Sequence, residues 1–177
     1  MIMNIQTVLE NDMVKLVPLE ESHFEGLYAV ASDPLVWEQH PNKDRYKRDV
    51  FKVFFEGAMA SGGAYLITDK KTGEIAGSSR YYNLDATNKS IEIGYTFLGR
   101  KFWGGGLNHA VKDLMLAHAF EEMDTVIFHI GADNIRSQKA IEKLGAVKTG
   151  EVEEAYYGEP ACLNFVYQIR KADWPAH

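Results

Sequence analysis

Three consecutive glycines, Gly104, Gly105 and Gly106, mark where this chain could grip a ligand. They follow residues 91–98, IEIGYTFL, whose Ile, Tyr, Thr and Phe content suits a strand. Leu107, Ala110, Val111, Leu114 and Ala117 then recur at helical spacing. A strand therefore feeds a glycine-rich turn, and the turn feeds a helix. Glycine lets backbone come close to a ligand. The unpaired N–H groups of a helix start, together with its dipole, favour an anion. Residues 91–108 thus predict a site for a phosphate or diphosphate. No Lys-Ser or Lys-Thr pair follows the last glycine, so this is not a nucleotide-triphosphate loop. A dinucleotide fold opens its parallel sheet with such a turn, whereas several antiparallel-looking elements come first here.

Those elements must position the turn. Residues 14–19 alternate and read as a strand, and Ser22 is placed to cap a helix to about residue 31. Residues 46–60 form a second helical pattern, stopped by Ser61-Gly62-Gly63. Residues 64–68 and 74–82 read as a hairpin around Asp69–Gly73. After the glycine turn a helix runs to about residue 122, then a buried-looking strand over 125–131, a helix over 134–144 stopped by Gly145, and strands over 147–151 and 163–170. The pattern predicts one mixed α/β domain over 1–177, core about 14–174, with about seven mostly antiparallel strands and four helices.

Composition narrows the function. One cysteine, Cys162, allows no intrachain disulfide and suits a reducing, cytoplasmic setting. No apolar run is long enough to span a membrane. The first thirteen residues lack the basic flank and apolar core of a secretory signal. A net charge of −6 argues against broad nucleic-acid binding. His23, His40, His109 and His118 show no metal-ligand spacing, so no metal is assigned. A homodimer through exposed aromatic loops stays open.

Lys101-Phe-Trp-Gly-Gly-Gly106 resembles the acyl-CoA pyrophosphate loop of the GNAT acetyltransferase superfamily, Arg/Gln-x-x-Gly-x-Gly/Ala. Asn134-Ile-Arg-Ser137 ahead of Glu142-Lys-Leu-Gly145 is similar to a second signature of the branch typified by ribosomal-protein N-terminal acetyltransferases, and Ile91-Glu-Ile-Gly-Tyr95 to its central strand. Three departures stand out. Lys101 replaces the usual Arg or Gln, His109 and Ala110 replace a small residue and Glu, and Ile141 stands where other members carry a Tyr acid. The resemblance implies an acetyl-CoA-dependent N-acetyltransferase acting by direct attack of a primary amine, either a protein N-terminus or a small amine. The strands at 91 and 125 would run parallel and splay near residues 96–99. Pantetheine would lie along Phe97 and Leu98 like an added strand. The diphosphate would rest on the amides of Phe102, Trp103, Gly104, Gly105, Gly106 and Leu107, with Asn108 beside them. Asn134 and Ser137 would close the other side, and Arg100 and Lys101 would supply positive charge. Arg136, Lys139 and Lys143 fall nearby in sequence; Lys139 and Lys143 read better as solvated helix charges. A non-catalytic acyl-CoA sensor or scaffold is the alternative that the missing Tyr acid leaves open.

An amine attacks a thioester only when neutral, and free lysine has a pKa of ~10.4 against about 8 for an α-amine. Glu92, alone among apolar neighbours and facing away from Ile91, Ile93 and Tyr95, is the candidate base. It could act through a water. The other reading keeps Glu92 wet and paired with Lys89. A backbone N–H near Leu98 would meet the developing oxyanion, and Ser137 would assist the thiolate or simply satisfy its helix start. His129 reads as a core histidine rather than a catalyst, although one of its two strand phases points it toward the cleft. Tyr81, Tyr82, Tyr156 and Tyr157 read as groove or packing residues, and Glu153 and Glu154 as acceptor contacts or solvated charges. Ser78 and Ser79 lack hydrolase partners.

Overall fold

The structure, a computed structural model, describes residues 3–156 and 158–174. Strands β1 (Leu9–Glu10), β2 (Val14–Pro18), β3 (Ala64–Asp69), β4 (Ile75–Asp85), β5 (Ser90–Leu98), β6 (Thr125–Gly131), β7 (Val147–Ala155) and β8 (Ala161–Arg170) form one eight-stranded sheet in the order β1-β2-β3-β4-β5-β6-β8-β7. The strand beyond the seven expected is β1. Its two residues are too short to show a period, and only pairing with β2 reveals it. Helices α1 (Phe24–Ala31), α2 (Arg48–Ser61), α3 (Leu107–Ala119) and α4 (Ile135–Lys143) are the α-helices of the described residues. The expected cap at Ser22 gives way to a tight turn over Glu21–His23, where the Glu20 amide donates to His23 Nδ1 at 3.0 Å. Helix α2 ends at Gly62, whose left-handed φ of 69° favours glycine.

The sheet separates two apolar layers. On one side Val111, Met115 and Leu116 of α3 and Ile141 of α4 pack with Ile91, Ile93, Val126 and Phe128. On the other, Leu27 of α1 and Phe51, Phe54 and Phe55 of α2 pack with Trp37, Leu66 and Phe97. Full burial of each such side chain stabilises the fold by about 1.5–3 kcal/mol.

Strand β5 serves both layers because it carries a bulge. Ser78 pairs with Phe97 and Arg80 with Gly94, so three steps along β5 answer two along β4. The extra residue is accommodated at Tyr95, in a left-handed conformation with φ 54°. Before the bulge Ile91 and Ile93 face α3, whereas after it Tyr95 and Phe97 face α2. Tyr95 therefore does not share a side with Ile91 and Ile93, as simple alternation predicts. Its ring meets that of Tyr82, the residue paired with Glu92. The Arg80 guanidinium lies 3.7 Å over the Tyr95 ring and props the bulge.

Neighbouring strands are antiparallel except β5 and β6. These two pair only through Ser90↔Thr125, Ile91↔Val126 and Glu92↔Ile127. Beyond Glu92 they part, earlier than the expected residues 96–99. Beside the opening, Arg45 and Glu159 form a bidentate ion pair, 2.9 and 2.8 Å, with both side chains buried. The Arg45 guanidinium also sits among Trp37, Phe54 and Tyr156. Removing one partner strands the other charge in the interior. We expect Glu159→Ala to lower unfolding free energy by about 3–5 kcal/mol, read from urea unfolding; a loss below about 1 kcal/mol would mean the pair behaves as a surface contact.

Candidate functional site

The glycine turn leaves a row of amides facing outward. Gly104 and Gly106 take φ of 75° and 85°, left-handed conformations that turn the chain into α3. The amides of Phe102 and Trp103 donate to the Gly99 and Arg100 carbonyls. The Ala110 amide donates to the Gly106 carbonyl. Between them, the amides from Gly104 to His109 have no acceptor among the described residues. The row of free amides thus starts two residues later than expected, because the turn before it uses Phe102 and Trp103 itself.

These amides stand at one end of a cleft of about 550 Å³. Its walls include Phe97, Leu98, Phe102, Trp103, Asn108, Asn134 and Ser137. Asn134 is buried and caps α4, its Oδ1 accepting from the Ser137 amide at 3.3 Å. Its Nδ2 is the half of that group left to meet a ligand. Arg136, Lys139 and Lys143 line the cleft from α4. The Arg136 guanidinium lies 3.9 Å over the Trp103 ring, joining the α4 rim to the glycine turn.

Arg100 and Lys101 are placed differently. Arg100 pairs with Asp33 and Lys101 with Glu74, each at 2.5 Å, and neither lines the cleft. Their partners lie far away in sequence, so proximity to the glycines overstated their part. Gly105 and Leu107 belong to the amide row without contributing to the cleft wall.

The cleft runs into a smaller chamber of about 70 Å³, and His40, Thr96, Asn108, Asn134, Ser137 and Ala140 line both. Beside the chamber lies a chain of titratable groups. Glu92 is 7% exposed and accepts from Asn83 Nδ2 at 2.5 Å. His129 Nε2 stands 3.2 Å from Glu92 Oε1, near enough to pair though not aligned for a hydrogen bond. On its other side His129 Nδ1 lies 2.5 Å from Glu154 Oε2. Burial raises the Glu92 carboxyl above its ordinary range. The bond to Glu154 raises His129, assisted by the charge of Glu92. Lys89 is exposed and makes no ion pair with Glu92, so the solvated reading of Glu92 does not hold. His129 lines the chamber and Glu92 does not, which places the imidazole between Glu92 and the cavity.

Other candidates separate cleanly. Tyr81 is core, its hydroxyl donating to the Met115 carbonyl. Tyr156 is buried, lines the chamber and bonds Asn164. Tyr157 lies outside the described residues. Glu153 is exposed. Ser78 donates to the Tyr65 carbonyl, and Ser79 shares a hydrogen bond with Thr96. His40, packed on Trp37, is driven down to about 3 by burial and by the Arg45 and Arg136 charges, so it is neutral. Lys112 was invisible to motif reasoning. It is 4% exposed, lines the chamber and donates to Thr96 Oγ1 at 2.9 Å. Its one sequence signal is spacing: it falls four residues after Asn108 and three before Met115, on the buried arc of α3. Among the described residues no cluster of His, Cys, Asp and Glu could hold a metal, and no helix is long and apolar enough to cross a membrane.

Comparison with known proteins agrees with this geometry. The Bacillus subtilis (strain 168) protein named "Putative ribosomal N-acetyltransferase YdaF" is 28% identical over 105 residues, which span 58% of this chain and 57% of that protein. The match thus covers little more than half of that relative's length. The crystal structure of a "putative acetyltransferase" from T. thermophilus aligns with a TM-score of 0.77 at 27% identity, over 95% of this chain and 91% of that one. Mycobacterium smegmatis RimJ in complex with CoA-disulfide shares the fold, with a TM-score of 0.73 at 16% identity over 96% and 88% of the two chains. Residues 14–147 match the family described as the acetyltransferase (GNAT) domain, and the chain, with its parted strands and outward amide row, belongs to the GNAT acetyltransferase family.

Proposed function

We propose that the protein moves an acetyl group from acetyl-CoA to a primary amine by direct attack. The observation that carries this reading is the row of amides from Gly104 to His109, open at the mouth of a cleft that runs into the gap between β5 and β6. Such a row suits a diphosphate, and Arg136, Lys139 and Lys143 add positive charge at the same rim. The unpaired backbone of the parted strands suits an amide-bearing arm laid alongside it. Acetyl-CoA, when bound, supplies an activated acyl carbon on a stable leaving thiolate. The chain's own residues hold its charged end, orient the arm between Asn134 and β5, and receive the amine's proton.

That proton goes to the Glu92–His129–Glu154 chain rather than to Glu92 alone. Two carboxylates and one imidazolium carry a net charge of −1, and uptake of one proton makes the chain neutral. Ser137 stands at the junction of cleft and chamber, where it can approach the leaving sulfur. The name of the Bacillus subtilis relative, a ribosomal N-acetyltransferase, supports a protein amine as acceptor. The resemblance of Asn134–Ser137 to the N-terminal acetyltransferase branch favours an α-amine. A panel of peptides with free or blocked N-termini, read by product mass with acetyl-CoA present, tests this. A 1:1 acetylated product on free α-amines supports it, and acetylation of lysine side chains alone would contradict it.

Two variants probe the parts separately. A Cβ at Gly105 meets nothing within 4 Å, so Gly105→Glu folds normally while placing a carboxylate beside the amide row. We expect CoA affinity to fall roughly tenfold or more, about 1.4 kcal/mol, in a thermal-shift titration; unchanged affinity would move the diphosphate elsewhere. For Glu92→Gln we expect turnover to drop about a hundredfold with CoA affinity retained. Because a base acts deprotonated and burial raises Glu92, wild-type turnover should be lost as pH falls through a midpoint above the ordinary carboxylate range. The variant should lose that acid limb; an identical pH profile would remove Glu92 from the proton path.

A further inference from the structure

Lys112 is a buried amine with no counter-charge among the described residues, and burial lowers it to about 7, so a carboxylate beside it would restore the full ammonium. Its side chain lies in the interior, and among the described residues its polar contact is the Thr96 hydroxyl, which in turn meets Ser79. No carboxylate pairs with it among the described residues. A buried ammonium is costly unless an anion or a dense set of acceptors compensates it. Removing it would be simple in sequence, since a leucine or methionine would suit the buried arc of α3.

The chamber that Lys112 faces has the same character. Its lining includes Arg45, Lys112 and His129 but no Asp or Glu, in a chain whose net charge is −6. Arg45 and His129 are balanced from behind, by Glu159 and by Glu92 with Glu154. Among the described residues that line the chamber, Lys112 is the basic group with no carboxylate behind it. The volume also exceeds what a methyl group needs. At roughly 10–15 Å³ per water-sized occupant, the chamber of about 70 Å³ holds several non-hydrogen atoms. Lys112 sits one helical turn beyond Asn108, which lines both cleft and chamber, so the acyl end of a chain entering past the amide row would arrive at its ammonium.

We infer that the chamber accepts a short acyl group ending in a carboxylate, which Lys112 binds as its missing counter-ion. This rests on reading the cleft as an acyl-CoA site and adds an acidic acyl group to the acetyl group that the cleft takes. Thr96 then acts as a positioning residue that holds the ammonium toward the cavity.

Calorimetric titration with malonyl-CoA and isovaleryl-CoA tests this, because the two acyl groups share a branched shape and differ in charge. The expected result is a Kd for malonyl-CoA at least tenfold below that for isovaleryl-CoA in the wild-type protein, and a preference that disappears or reverses in Lys112→Met. Equal or tighter binding of isovaleryl-CoA by the wild type would overturn the inference, as would a malonyl preference that survives in Lys112→Met. Free CoA is the control. If it binds while the two acyl forms are not distinguished, the inference fails alone; if it does not bind, the reading of the cleft fails and takes the inference with it.

Discussion

Two neighbouring strands that begin as a hydrogen-bonded parallel pair and then separate govern the rest of this molecule. Once β5 leaves β6 after Glu92, the facing backbone edges lack each other as partners. Buried backbone without partners is costly, so an opening of this kind persists only where something else can occupy it. The bulge at Tyr95 helps to create the opening. It bends β5 away and turns its later side chains toward α2, and Arg80 stacked on the Tyr95 ring secures it. Helix α3 then starts at Leu107, just past the glycine turn that follows the parted strand's end at Leu98. Its unpaired amides and the strand gap thus belong to one continuous surface.

The electrostatics follow from that arrangement. An acidic chain concentrates basic groups where the cleft opens, through Arg136, Lys139 and Lys143 on α4. Farther in, charge is handled by burial. Arg45 and Glu159 neutralise each other, and burial lowers the Arg80 guanidinium to about 10. The Glu92–His129–Glu154 chain occupies the wall between sheet and chamber, where burial raises the Glu92 carboxyl above its ordinary range. Each of these depends on elements far apart in sequence meeting at the same opening.

How legible was this in the sequence? The strand–glycines–helix order and the helix over 134–144 were readable, because period and glycine position are local properties; the parallel pair followed only from the family resemblance. The bulge was not. Ile91, Ile93, Tyr95 and Phe97 alternate without interruption, and only the register against β4 exposes the extra residue. The charges were misread for a related reason. Arg100 and Lys101 adjoin the glycines in sequence, yet Asp33 and Glu74 claim them in space, while Lys139 and Lys143 reach the cleft from the next helix. His129 looked like core because its strand is apolar, but the tertiary fold brings Glu92 and Glu154 to its two ring nitrogens. Local patterns carried the framework, and long-range pairing decided which polar groups share the site.

The central claim is that the amides from Gly104 to His109 hold the charged end of coenzyme A. Nitrogen–proton correlation spectra of the labelled protein, recorded across a CoA titration, test it residue by residue. The account predicts that these resonances move together and saturate with the ligand, ahead of those of Phe102 and Trp103. Saturable binding that shifts other regions and leaves this row in place would contradict it.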